Sequence, residues 1–128
     1  MKLLTKEWIA KAEGDFATAR RELRARKSPN YDAVCFHAQQ STEKYLKALL
    51  QEQKTEFGKT HNLTALLDKA VNTYPILEVL RPALISLNIF AVDFRYPEES
   101  SDKELASKAF NLCKEVRKVI RTVFRLSV

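Results

Sequence analysis

The chain has 128 residues, the size of one ordinary domain, and 45% of them are apolar, so a packed core is expected rather than a disordered chain. A formal net charge of +6 permits RNA, nucleotide or acidic-protein partners; it bears on association, not on fold. Two glycines, four prolines and no alternating β-branched runs or Asn-Gly and Asp-Gly turns argue against a sheet, and no apolar run is long enough for a membrane span. The charged start carries no secretory pattern, and Cys35 and Cys113 stand alone in apolar helical settings without a CxxC. A cytoplasmic protein with buried free thiols is therefore expected.

The first helix is predicted from about Leu3 to Arg26, with Trp8, Ala12, Phe16, Ala19 and Leu23 on one face. Gly14 either weakens its middle or lets a neighbouring helix approach closely. Ser28-Pro29-Asn30 breaks it. A second helix follows from about Tyr31 to Lys54, with Val34, Ala38, Thr42, Tyr45 and Leu49 inward, widened by Cys35, Leu46 and Leu50. At 3.6 residues per turn His37, Gln40, Lys44, Lys47 and Gln51 form a polar stripe on its other side. A loop around Gly58 leads to a short third helix opened by Thr60-His61-Asn62, with Thr60 or Asn62 as cap and Leu63, Leu66, Leu67, Ala70 and Val71 inward.

Tyr74-Pro75 ends that element. A fourth helix runs from Ile76 or Leu77 to Phe90 or Val92. Leu80, Leu84, Leu87, Ala91 and Phe94 form one apolar face and Ile85, Ile89 and Val92 a second, as in a central helix or one half exposed at a dimer interface. Phe94-Arg95-Tyr96-Pro97 and an acidic loop precede a fifth helix from about Asp102 to Leu126, with Leu105, Ala109, Leu112, Val116, Val119, Ile120 and Val123 inward. The expected fold is a single all-α domain over residues 1–128, an antiparallel up-and-down bundle of four to five helices. Its basic residues are uneven. Arg20, Arg21, Arg24, Arg26 and Lys27 crowd one helix end, and Lys114, Arg117, Lys118, Arg121 and Arg125 line the last helix, a pattern that in part suits helix dipoles.

No metal is expected. The only histidines, His37 and His61, belong to no HExxH or Cys/His spacing, and Glu43 does not stand at a Glu-x-x-His spacing. No GxxxxGKS/T or GxGxxG loop is present, so side chains must hold any phosphate. Lys44, Lys47 and Arg95 are candidates, helped by the amides opening the third helix near His61; the alternative is a merely solvated face. His37 fits either a general base or a hydrogen bond to a neighbouring helix, and His61 either an anion contact or a cap. Arg95-Tyr96-Pro97 sets a guanidinium at a proline-fixed helix exit, suited to phosphate or carboxylate or to pairing with Glu43 or Glu98.

The run Phe36-His37-Ala38-Gln39-Gln40-Ser41-Thr42-Glu43-Lys44-Tyr45-Leu46-Lys47-Ala48-Leu49-Leu50 resembles helix two of the HEPN family, the higher eukaryote and prokaryote nucleotide-binding domain. Thr60-His61-Asn62-Leu63 and Phe94-Arg95-Tyr96-Pro97 fall where that family has them, and the opening from Trp8 to Ala19, with Ala12 and Asp15, is similar to it. The resemblance covers essentially the full chain. It implies a helical bundle, commonly a homodimer, often encoded beside or fused to a small nucleotidyltransferase and binding nucleotide or that partner's substrate. It also implies that His37, Gln40, Lys44 and Lys47, with His61 and Arg95, line the site, Glu43 and Tyr96 being auxiliary. No cofactor is required; a nucleotide is the implied bound molecule.

Another branch of the family consists of metal-independent ribonucleases, often toxins, with an Arg-x4–6-His motif near the last helix. Here no histidine follows His61, and Tyr96 is not placed like the tyrosine nucleotidylated in paired toxin systems, so no catalytic residue is assigned. The reading is a non-catalytic module that binds nucleotide or a nucleotidyltransferase. The alternatives are a ribonuclease in which His37 or His61 serves beside Arg95, and a structural adaptor joining chains through the apolar fourth helix.

Overall fold

The computed structural model describes residues 1–93 and 100–128, the side chains of 91–93 excepted. Five α-helices follow one another: α1 (Leu3–Leu23), α2 (Tyr31–Glu52), α3 (Leu63–Ala70), α4 (Arg81–Asp93) and α5 (Lys103–Val123), with a 3₁₀ segment at Pro75–Leu80 before α4. The fold is an all-α bundle, with no strand among the described residues. Phe94, Arg95, Tyr96 and Pro97 lie outside the described residues, as do the side chains of Ala91 and Val92.

α2 is the centre. Thirteen of its 22 residues are buried, and it packs against α1, α3, α4 and α5. Every residue of its predicted inward stripe is buried, including Tyr45, Leu46, Leu49 and Leu50. α1 runs antiparallel to it. Thr5 donates to Glu52 at 2.9 Å at one end, and Ser41 Oγ donates to the Ala12 carbonyl at 2.8 Å midway. α5 runs parallel to α2, since Cys35 meets Ser101 near their starts and Tyr45 meets Arg121 near their ends. Phe16 of α1 stacks on Phe110 of α5 with centroids 5.1 Å apart, closing the core on that side.

The helix ends differ from expectation in an instructive way. α2 stops at Glu52 rather than Lys54 because Lys54 turns left-handed (φ 58°). The amides of Lys54 and Thr55 then return to the carbonyls of Gln51 and Leu50, satisfying the last turn. α5 ends in the same way at Arg125 (φ 61°), whose amide and that of Leu126 reach Thr122 and Arg121. Neither end carries the glycine that usually marks this motif. α1 ends at Leu23, short of Arg26, and Glu22 accepts from the Asn30 amide at 2.5 Å to tie the turn back. Asn30 caps α2, Asp102 caps α5 and Asn62, not Thr60, caps α3. At Gly14 an added Cβ would meet nothing within 4 Å, so close helix approach is not its role.

α4 has the two faces read from the sequence. Leu80, Leu84 and Leu87 are buried, while Ile85 and Ile89 stay about half exposed, and Ile76 and Val79 of the 3₁₀ segment are more exposed still. Both cysteines are free and buried, and burial pushes both thiols above their ordinary pKa, as inert core residues. No described helix is long and apolar enough to cross a membrane.

Candidate functional site

The polar stripe of α2 is not a freely solvated surface. His37 and Lys44, seven residues apart and hence nearly in line on the helix, both turn toward α1 and meet Asp15. His37 Nδ1 lies 2.8 Å from one Asp15 carboxylate oxygen, and Lys44 Nζ 2.5 Å from the other. The side chains of His37 and Lys44 are 29% and 22% exposed, that of Asp15 only 12%. The carboxylate holds the Nδ1–H tautomer, which leaves the imidazole Nε2 free for an outside group. Asp15 thus positions two potential ligand contacts at once.

One turn along, a second buried carboxylate repeats the device toward α3. Glu43 accepts from Lys47 Nζ at 3.1 Å and lies 3.1 Å from His61 Nδ1. Lys47 is enclosed, its side chain 7% exposed, with Nζ 5.7 Å from the ring centroids of both Trp8 and Phe57. Those two rings meet edge to face at 5.9 Å, so α1 and the α2–α3 loop close over the lysine. His61, by contrast, is 76% exposed. Gln40, one turn from both His37 and Lys44, donates to Gln39 Oε1, and the buried Gln39 donates to the His61 carbonyl.

The amides opening α3 are already taken. Asn62 Oδ1 accepts from Thr64 and Ala65, and Asn88 Oδ1 accepts from Leu63, with Asn88 Nδ2 donating back to Asn62. The help expected from these amides in holding a phosphate is therefore withdrawn: their donors serve the fold. Arg95 and Tyr96, and a pairing of Arg95 with Glu43, fall outside the described residues.

A further polar cluster binds α1, α2 and α5 together. Arg117 grips Glu13 with two bonds of 2.8 Å, Tyr45 donates to Glu13 at 2.6 Å, and Arg121 stands 3.6 Å from it. The Arg117 hydrogen bond, with smaller help from Tyr45, holds the Glu13 carboxyl below the ordinary glutamate range despite its partial burial. Burial, with the hydrogen bond to Glu13 next, pushes the Tyr45 phenol up to about 12.

Sequence reasoning named His37, Gln40, Glu43, Lys44, Lys47 and His61, and the fold gathers all six on one side of α2. It missed Asp15 as their organiser. The available signal was an acid beside Phe16 on the edge of the apolar face of α1. An open depression of about 420 Å³ beside Gln51, Lys54 and Phe57 lies roughly 20 Å along α2 from His37 and is not this site. No cluster of metal-ligand type occurs among the described residues.

Comparison with known proteins places this geometry in context. The family model for the HEPN domain matches residues 5–123. The crystal structure of TT1696 from Thermus thermophilus superposes with a TM-score of 0.79 at 21% identity, covering 92% of this chain and 96% of that one. ST0689, an archaeal HEPN homologue, superposes with a TM-score of 0.69 at 24% identity, covering 95% of this chain and 98% of that one. At these identities the two structures speak for the fold alone. No curated protein matches the chain.

Proposed function

Because this chain belongs to the HEPN domain family, we propose that it is a nucleotide-binding helical module that works with a small nucleotidyltransferase and does not itself catalyse. The observation that carries the reading is Asp15 holding His37 and Lys44 side by side on a partly exposed strip. Asp15 fixes both side chains, so Lys44 Nζ can meet a phosphate oxygen and His37 Nε2 can accept from a ribose hydroxyl or a base N–H at little ordering cost. Gln40 and His61 extend the strip with further hydrogen-bonding groups, suited to ribose or base. Lys47 moves from ligand contact to support, since Trp8, Phe57 and Glu43 enclose it. Arg95 stays in the proposal on its place in the sequence.

The test is calorimetric titration with each common ribonucleoside triphosphate. Wild type is expected to bind at least one of them, and His37→Ala or Lys44→Ala to weaken it about tenfold, with unchanged circular dichroism. Absence of binding at millimolar nucleotide, together with native mass spectra of gently purified protein showing neither nucleotide nor a second chain, would overturn the proposal.

The Asp15–His37 pair also favours a second reading, metal-independent RNA cleavage with His37 Nε2 as general base. It requires cleavage without added metal that disappears in His37→Ala. Equal trace cleavage by wild type and variant removes it.

A further inference from the structure

The seam between α1 and α5 lies on the opposite flank of α1 from Asp15, and its charge is almost all of one sign. Phe110 and Arg117 of α5 meet Phe16 and Glu13 of α1, which fixes the side of α5 that faces this seam. Lys114 lies within about 40° of Phe110 around the helix axis, and Lys118 and Arg121 lie next to it in the following turn. Lys103, one turn before Ser107, begins the same row. From α1, Arg20 reaches over Phe16 with its guanidinium 5.6 Å from the ring centroid, and Arg24 follows one turn on. Lys103, Lys114, Lys118, Arg20 and Arg24 are exposed, and none of the five has a carboxylate partner among the described residues. The single acid within the seam, Glu13, is consumed by Arg117, Arg121 and Tyr45.

Two features identify the partner. The row from Lys103 to Arg121 spans roughly 27 Å of helix, and Arg20 and Arg24 of the antiparallel α1 stand beside its cation-free stretch between Lys103 and Lys114, so positive charge runs the length of the seam as a polyanionic backbone requires. The seam also lacks the apolar anchor a protein interface needs. Phe16 and Phe110 are buried, the aliphatic row of Ile76, Val79, Ile85 and Ile89 belongs to the 3₁₀ segment and α4, and Val128, whose carbonyl accepts from Arg117, brings a single exposed valine to the seam. With both faces of Phe16 covered by Phe110 and Arg117, no ring is free to stack on a base. We infer that the α1–α5 seam is a docking surface for the phosphate backbone of a nucleic acid, RNA or DNA strand alike, engaged without sequence preference. This surface is separate from the α2 strip, and it holds a strand whether or not that strip binds nucleotide.

Fluorescence anisotropy with a labelled single-stranded RNA tests it, comparing two triple variants of equal charge loss. Arg20→Gln/Lys114→Gln/Lys118→Gln removes seam cations. Lys27→Gln/Lys54→Gln/Lys59→Gln removes exposed cations from the two loops flanking α2. The seam variant is expected to bind about tenfold or more weakly at low salt, and the slope of log K against log salt to fall in magnitude by about 2, three contacts at roughly 0.7 each. The loop variant should stay within about twofold of wild type. Equal weakening of both triples reduces the effect to net charge and overturns the inference, as does unchanged binding in the seam variant or no RNA binding by wild type. All six positions are exposed, and matching thermal midpoints of the three proteins confirm that the comparison is between folded chains.

Discussion

Glu13 accepts hydrogen bonds from Arg117 and Tyr45 and faces Arg121, so one carboxylate ties α1 to two other helices. Its pKa is lowered in the folded chain, chiefly by Arg117. The unfolded chain therefore takes up this proton at higher pH than the native one, and stability rises with pH across the interval between the two values. The contribution is complete above the ordinary glutamate range and is lost as pH falls through the native pKa. Urea midpoints measured from about pH 6 to pH 3 should fall less steeply for Glu13→Gln than for wild type, because the variant has no such proton to take up. Parallel curves would mean that Glu13 contributes nothing to acid sensitivity. At this same scale the sequence was only half legible. It displayed His37 and Lys44 on one stripe, but the acid that orients them is 22 and 29 residues away in the chain. No local periodicity connects residues across two helices.

At the scale of elements, the contact between α1, α2 and the α2–α3 loop turns on a buried ion pair. Glu43 and Lys47 are 4% and 7% exposed, and one partner removed leaves the other charged and enclosed. Lys47→Met keeps a long stem between Trp8 and Phe57 but leaves the buried Glu43 carboxylate only the exposed His61 as partner, and it should cost about 3 kcal/mol in urea unfolding. Glu43→Gln/Lys47→Met should recover much of that loss, since no charge is then left without its partner. A double variant no better than the single one would show that the pair is not the source of the cost. The helices themselves were readable from apolar spacing, and the caps of α2, α3 and α5 are Asn or Asp, the residue types such positions favour. The left-handed stops at Lys54 and Arg125 were not. A lysine or arginine adopts that conformation only because the returning amides repay it, and this pattern leaves no mark in composition.

For the whole molecule, the outward aliphatic row of α4 and the 3₁₀ segment is the face that a homodimer, the assembly expected from the family resemblance, would bury. Ile85 and Ile89 sit one turn apart, about half exposed, with Ile76 and Val79 beside them in the chain. Such a face complements a copy of itself about a two-fold axis. Ile85→Asp/Ile89→Asp should shift the sedimentation coefficient of the dimer to that of a monomer while leaving helix content intact. A wild type that sediments as a monomer at all concentrations would refute the arrangement.

The sequence by itself determined the class of fold and the inward face of α2, because burial selects residues at helical spacing and that spacing is local; on α5 the expected face is rotated, with Ala106, Phe110 and Cys113 buried and Leu105, Leu112, Val119 and Val123 only half-buried. It also displayed the family pattern along nearly the whole chain. Only the tertiary structure decided what the polar residues do. Lys47 is drawn inside by Trp8 and Phe57, the α3 amides are used up by Asn62 and Asn88, and Asp15 converts two stripe residues into an oriented pair. Charge and hydrogen bonding act through space over a few ångströms, so their partners depend on how the helices pack.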